Sequence, residues 1–185
     1  VVSATADLVK TKVNPANVVA VIQGNDPALK SEYVIIGAHY DHLGMGGEGS
    51  GSRTPDQFAV HNGADDNASG TAGVMELAQK LAANRTKLGR SVMFVAFTGE
   101  EMGLLGSKEF VKNPPVSLNK VNAMINMDMI GRLNPDTKTI IVGGTGTSAE
   151  ADSLLNILEK DRPFKVTRST DGYGPSDHAS FYGEN

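Results

Sequence analysis

The chain has 185 residues, 39% of them hydrophobic and 21% charged, with a formal net charge of −4. These values fit one soluble globular domain with a proper core and speak against a nucleic-acid partner, which demands a basic face. No cysteine is present, which excludes a disulfide framework and thiolate metal ligands. Any metal must therefore be held by His, Asp or Glu. No apolar run approaches the roughly 18 residues of a membrane span.

Val1-Val2-Ser3-Ala4 has neither an initiator Met nor a basic-then-apolar leader pattern and reads as a processed or trimmed end. From there, short apolar runs alternate with amphipathic stretches, the signature of an α/β domain with a mostly parallel sheet. Strands are predicted over 18–23, 33–38, 91–98, 121–127, 139–142 and 164–167. The spacing of Val74, Leu77, Ala78 and Leu81 predicts a helix over 69–83. A shorter helix near 104–112 is stopped by Pro114-Pro115. A third, over 147–160, turns Ala151, Leu154, Leu155 and Leu158 inward and has capping-box spacing at Thr147 and Glu150. The polar, glycine-rich stretch from Gly44 to Gly63 reads either as a functional rim or lid or as a surface insertion.

Three apolar strands run directly into metal-capable side chains. Val34-Ile35-Ile36-Gly37-Ala38 leads to His39, Val92-Met93-Phe94-Val95-Ala96-Phe97 leads through Thr98-Gly99 to Glu100-Glu101, and Ala123-Met124-Ile125-Asn126-Met127 leads to Asp128. Parallel strands deliver their carboxyl ends to one sheet edge, where open α/β sheets bind ligands. Alone, a Glu-Glu pair reads as solvated surface; beside His39 and Asp128 in matching positions it reads as chemistry. Asp65 and Asp66 precede the first amphipathic helix. Capping explains Asp65 best, whereas Asp66 is open to either a structural or a metal role. Two zinc ions sharing a carboxylate can clamp a reacting carbonyl, while a neighbouring non-ligating carboxylate moves the proton. Glu100-Glu101 suits that division.

Gly37-Ala38-His39-Tyr40-Asp41-His42, Gly63-Ala64-Asp65-Asp66-Asn67-Ala68-Ser69-Gly70, Thr98-Gly99-Glu100-Glu101-Met102-Gly103 and Asn126-Met127-Asp128-Met129-Ile130-Gly131 follow one another in the order of the M28-type zinc aminopeptidases. The sequence resembles that family from about Val18 onward. The resemblance implies a three-layer α/β/α zinc-exopeptidase (phosphorylase/hydrolase-like) fold and two zinc ions. It places His39 and Asp128 on one zinc, Glu101 on the other, Asp66 as the bridge, Glu100 as general base and acid, and Asp41 behind the His39 imidazole. Tyr173 matches a position whose phenol supports the oxyanion. The implied substrates are peptides with a free amino terminus, and the implied location is extracellular or periplasmic.

Tyr173-Gly174-Pro175-Ser176-Asp177-His178-Ala179-Ser180-Phe181 resembles the family's Ser-Asp-His-Ala-Ser segment, with His178 as a packed, hydrogen-bonded residue near the site. The resemblance puts the last histidine ligand in a segment beyond Asn185. On that reading residues 1–185 form a single catalytic domain, incomplete at its carboxyl end. His42 and His61 read as rim residues without a ligand role. Gly143-Gly144-Thr145-Gly146-Thr147-Ser148 lacks a P-loop lysine and reads as a structural turn. Ser176 and His178, two apart with no nucleophile elbow, do not suggest serine chemistry. The sequons at Asn67 and Asn84 read as chance occurrences. A glutaminyl cyclase-like zinc acyltransferase and a metal-dead binding or receptor ectodomain are the alternative functions.

Overall fold

A computed structural model describes residues 13–184 of the chain; the reading of the amino-terminal end falls outside them. Four strands form the central sheet: β1 (Val18–Ile22), β2 (Tyr33–His39), β3 (Ser91–Phe97) and β4 (Val121–Asn126). They lie in the order β1-β3-β2-β4. β2 pairs in parallel with β3 and β4, while β1 closes one edge antiparallel to β3. The sheet is thus mostly parallel, and the carboxyl ends of β2, β3 and β4 share one edge.

Strand periodicity separates two cores. On one face Ile35, Met93, Val95 and Phe97 pack with Phe110, Val111 and Phe181, brought by α2 (Leu105–Lys112) and α4 (His178–Tyr182). On the other, Ile36, Ala38, Val92 and Phe94 meet Val74 of α1 (Gly70–Ala83), with Leu77, Ala78 and Leu81 packed against them. The α1 stripe expected from the sequence therefore faces the sheet, and helices cover both faces of it. Near-continuous burial along β2 and β3 is what parallel strands between two helical layers require.

A second, two-stranded parallel sheet pairs β5 (Thr139–Val142) with β6 (Lys165–Arg168), and α3 (Ala151–Glu159) packs beside it. Here the expectation is corrected. The helix begins at Ala151, and Thr147 spends its hydroxyl on the Gly144 carbonyl at 2.7 Å, closing a tight turn at a glycine of φ +75°. Ser148, not Thr147, bonds the Glu150 amide, at 3.2 Å. Ala151 and Leu155 are half-buried, whereas Leu154 and Leu158 are exposed, because two strands offer too narrow a surface for the whole stripe. Among the described residues, no helix is long and apolar enough to cross a membrane.

Phe97 is fully buried and meets Phe110 and Phe181 edge-on, at centroid distances of 5.9 and 6.0 Å. Phe97→Ala is expected to lower unfolding stability by about 3–5 kcal/mol, read from urea denaturation. A loss below about 1 kcal/mol would show that this aromatic cluster does not hold α2 and α4 on the sheet.

Candidate metal centre

His39, the last residue of β2, is 1% exposed. Its Nε2 lies 3.3 Å from Asp66 Oδ1 and 3.5 Å from Asp128 Oδ1. Its Nδ1 is 3.1 Å from the Asp41 carbonyl oxygen. A carbonyl only accepts, so in the neutral imidazole Nδ1 carries the proton and Nε2 presents its lone pair to Asp66 and Asp128. The expected support from Asp41 thus comes through its backbone. The Asp41 carboxylate stands farther off, 3.7 Å from Nδ1, and accepts the Glu100 amide at 3.2 Å.

Asp66 is positioned by an irregular helical turn, Ala64–Ser69, that enters α1. Its neighbour Asn67 is 1% exposed and joins this turn to the end of β4. The Asn67 amide donates to the Met127 carbonyl at 3.0 Å, and its oxygen accepts from the Gly70 and Met129 amides at 2.9 and 3.3 Å. Asp128 sits between Met127 and Met129, so one side chain sets both carboxylates. Met129 itself lies in the left-handed region, with φ 54°, a conformation non-glycine residues adopt where surrounding structure enforces it. The expected capping role of Asp65 is not seen: Gly63 and Ser69 hold the cap positions, and the Asp65 carboxylate bonds elsewhere. It accepts from the Gly131 amide at 2.8 Å and pairs with Arg132 at 2.7 Å, tying the same turn to the loop after β4.

A second group adjoins the first through Asp66. His42 Nδ1 lies 2.7 Å from Glu101 Oε1 and 3.9 Å from Asp66 Oδ2. Two sets of potential ligands result, His39–Asp66–Asp128 and His42–Asp66–Glu101, with Asp66 common to both. The donors suit zinc. A tetrahedral site with Zn–N or Zn–O bonds of ~2.0–2.1 Å has donor–donor edges of ~3.3 Å, and the His39 edges of 3.3 and 3.5 Å match them. Asp128 Oδ1, Glu101 Oε1 and His42 Nδ1 are buried atoms with no hydrogen-bond partner, as expected of atoms that serve a cation.

Glu100 and Glu101 follow β3 through Gly99, whose φ of +64° turns the chain sharply. Glu100 Oε2 faces the first group, 3.9 Å from His39 Nε2. Burial pushes the Glu100 carboxyl up to about 7; the His39 charge opposes this, while Asp177, Asp128 and Glu101 reinforce it. Burial alone would lower His39, but the contact with Asp128, the charges of Glu100 and Asp128, and the Asp41 carbonyl bring it up to about 9. Burial likewise raises Asp128, yet the His39 and Ser176 side chains hold it below the ordinary carboxylate value. Acids crowd one buried imidazole, the arrangement a divalent cation relieves.

The 173–178 segment borders this centre: the Asn126 amide donates to the Ser176 hydroxyl at 2.8 Å, two residues before Asp128. Asp177 is fully buried, and burial lifts its carboxyl to about 6 against the Ser107 hydroxyl and the His39 charge. His178 belongs to neither ligand group and its ring lies against Gly174. Tyr173 is exposed, outside both groups, with its ring edge-on to Tyr182 at 4.7 Å. His61, on the rim, meets Ser52 Oγ at 3.0 Å. The fixing role of Asn67 was missed from the sequence, whereas His42, expected on the rim, is part-exposed and lines the cleft beside Glu101.

The sequence matches the model of Peptidase family M28 over residues 17–185. It is similar to a probable leucine aminopeptidase of Arthroderma benhamiae, 34% identical over 165 residues that cover 83% of this chain and 40% of the relative. The chain thus spans about two fifths of the length of such curated relatives. Among solved structures it resembles BSAP, a zinc aminopeptidase from Bacillus subtilis, with a TM-score of 0.65, 27% identity, and coverage of 90% of this chain and 37% of that one. A glutaminyl cyclase from Porphyromonas gingivalis, at 21% identity, a TM-score of 0.60 and coverage of 90% and 59%, shares the fold alone. With the motifs, the sheet-edge ligand groups and this match over most of its length, the chain belongs to peptidase family M28.

Proposed function

We propose that this chain carries the catalytic centre of a two-zinc aminopeptidase, which hydrolyses the peptide bond next to a free amino terminus. The observation that carries the reading is Asp66, shared between two ligand groups, with Glu100 on the wall beside them. His39 and Asp128 would hold one zinc, Glu101 the other, and Asp66 would bridge. Zinc bound there would polarise the scissile carbonyl and acidify water. The names of the relatives support the substrate class. The cyclase-like reading rests on shared fold alone, and the intact Glu100 and ligand groups argue against a metal-dead binding module.

In this mechanism Glu100 moves the proton. Its carboxylate takes one from the attacking water as oxygen adds to the carbonyl carbon. It then delivers that proton to the amine nitrogen as the C–N bond breaks. Partial burial keeps its affinity for protons close to what a shuttle near neutral pH needs. Asp41 fixes the carboxylate's position by accepting the Glu100 amide. The loop carrying Tyr173 is tethered beside Asp128 through Ser176, and its phenol is assigned to the oxyanion.

Glu100→Gln is expected to reduce kcat/KM on aminoacyl chromogenic substrates by about 10²–10⁴-fold with zinc content unchanged; unaltered turnover would overturn the assignment. Glu100 works as a base when ionised, so activity falls as pH drops through its pKa. Nearby cations pull that pKa below the metal-free value of about 7, and the acid limb of the pH profile lies there and vanishes in Glu100→Gln. Tyr173→Phe should lower kcat by up to about 10²-fold with little change in KM, whereas an unchanged kcat assigns the ring to packing. In the metal-free protein His39 is protonated up to about pH 9, so zinc must displace its proton. Calorimetry near neutral pH in buffers of different ionisation enthalpy should read proton release that fades above pH 9; buffer-independent heats would contradict this.

A further inference from the structure

The glycine-rich stretch from Gly44 to Gly63 folds back on itself rather than trailing over the surface. Met45 and Val60 form an antiparallel bridge. The Gly46 amide bonds the Ala59 carbonyl and the His61 amide bonds the Gly44 carbonyl, each at 2.7 Å. Within the loop, the Ser52 hydroxyl meets the His61 ring at 3.0 Å and accepts the Thr54 amide at 3.0 Å. The Ser52 amide in turn donates to the Ser50 hydroxyl at 3.2 Å, and that hydroxyl donates to the Gly47 carbonyl at 2.6 Å. Arg53 therefore stands between two residues whose positions are fixed, and the His61 ring to which they are fastened lies edge-on to His42 at 6.1 Å.

Arg53 lines a cleft of about 480 Å³ together with Thr54, His61, Asp66 and Glu101, a size that suits a small ligand or the end of a peptide. Two acids line the same cleft, yet the Arg53 guanidinium makes no ion pair or hydrogen bond among the described residues. A guanidinium presents a rigid fork of donors that matches a carboxylate with two parallel N–H···O bonds. Carboxylate is also the ordinary anionic group of a peptide, at its chain terminus and on Asp and Glu side chains. We infer that Arg53 is a specificity residue that binds a carboxylate of the peptide substrate, with the Gly44–Gly63 loop holding it at the edge of the metal centre. This rests on the aminopeptidase reading and extends it to the substrate class: peptides that bring a carboxylate within reach of the loop are preferred over neutral ones.

Steady-state kinetics of the zinc-loaded protein on Leu-Ala, Leu-Ala amide, Leu-Glu amide and Glu-Ala amide test the assignment. The readout is the preference, as a ratio of kcat/KM, for each carboxylate-bearing peptide over neutral Leu-Ala amide. Arg53→Ala should lower that ratio about 5–30-fold through KM, as loss of a partly solvated charged hydrogen bond predicts. Arg53→Lys, which keeps the charge but not the fork, should recover part of it. A fall confined to Leu-Ala assigns the chain terminus as the group bound, and a fall confined to a Glu peptide assigns that side chain. Calorimetry on zinc-loaded Glu100→Gln should show the same peptide binding more tightly than Leu-Ala amide, and the difference should disappear when Arg53→Ala is added. Unchanged ratios in Arg53→Ala, or an equal loss on all four peptides, would overturn the assignment and leave the aminopeptidase reading in place. A zinc-loaded wild type that cleaves none of the four would instead overturn that reading and this one with it.

Discussion

The centre depends on the amide of Asn67. Its donor group holds the end of β4, and its oxygen holds the start of α1 and the amide after Asp128. These are three hydrogen bonds from a side chain that water does not reach. A buried amide left partly unpaired costs about 1–3 kcal/mol, so the network forms as a unit or not at all. The distance between the Asp66 and Asp128 carboxylates is therefore decided by backbone and amide geometry before any cation arrives. Gly70 belongs to the same arrangement. A Cβ there would meet Asn67 Oδ1 and the Met127 carbonyl oxygen at 2.3 Å each, so only glycine lets α1 start this close to β4.

Around that frame the electrostatics are set against stability. His39, Asp66, Glu100, Glu101, Asp128 and Asp177 crowd one sheet edge. Burial of Glu100 and Asp177 raises both carboxyls well above their usual values. Like charges in low dielectric repel, and desolvation penalises each ionised group. The fold keeps them together because their backbones belong to rigid strand ends and the Asn67 turn. The imidazole of His39 absorbs part of the negative charge and is driven up to about 9 in return. Metal binding and acid–base poise are two aspects of one charge imbalance.

Much of this was legible in the sequence. The apolar runs before His39, Glu100 and Asp128 marked strands whose ends meet, and the α1 stripe at Val74, Leu77, Ala78 and Leu81 marked the covering helix. What escaped was set by local turns and by neighbours distant in the chain. Thr147 and Glu150 have capping-box spacing, but the turn at Gly144 claims the Thr147 hydroxyl first. Leu154 and Leu158 fit a buried stripe, yet only two strands lie beneath α3. Asn67 looked like part of a motif, and its partners at Met127 and Met129 lie about 60 residues away.

The two sheets share no strand ladder among the described residues. β5, β6 and α3 are held mainly by their own hydrogen bonds, such as those of Gly144 and Thr145 to the Asp171 and Ser169 carbonyls. The central sheet has its own sandwich of aromatic and aliphatic side chains. Cooperativity follows shared contacts, so the molecule is divided into two opening units of unequal strength. Amides of β2 and β3 would exchange with solvent only on global unfolding, while those of β5 and β6 would exchange through smaller excursions that leave the ligand-bearing edge intact.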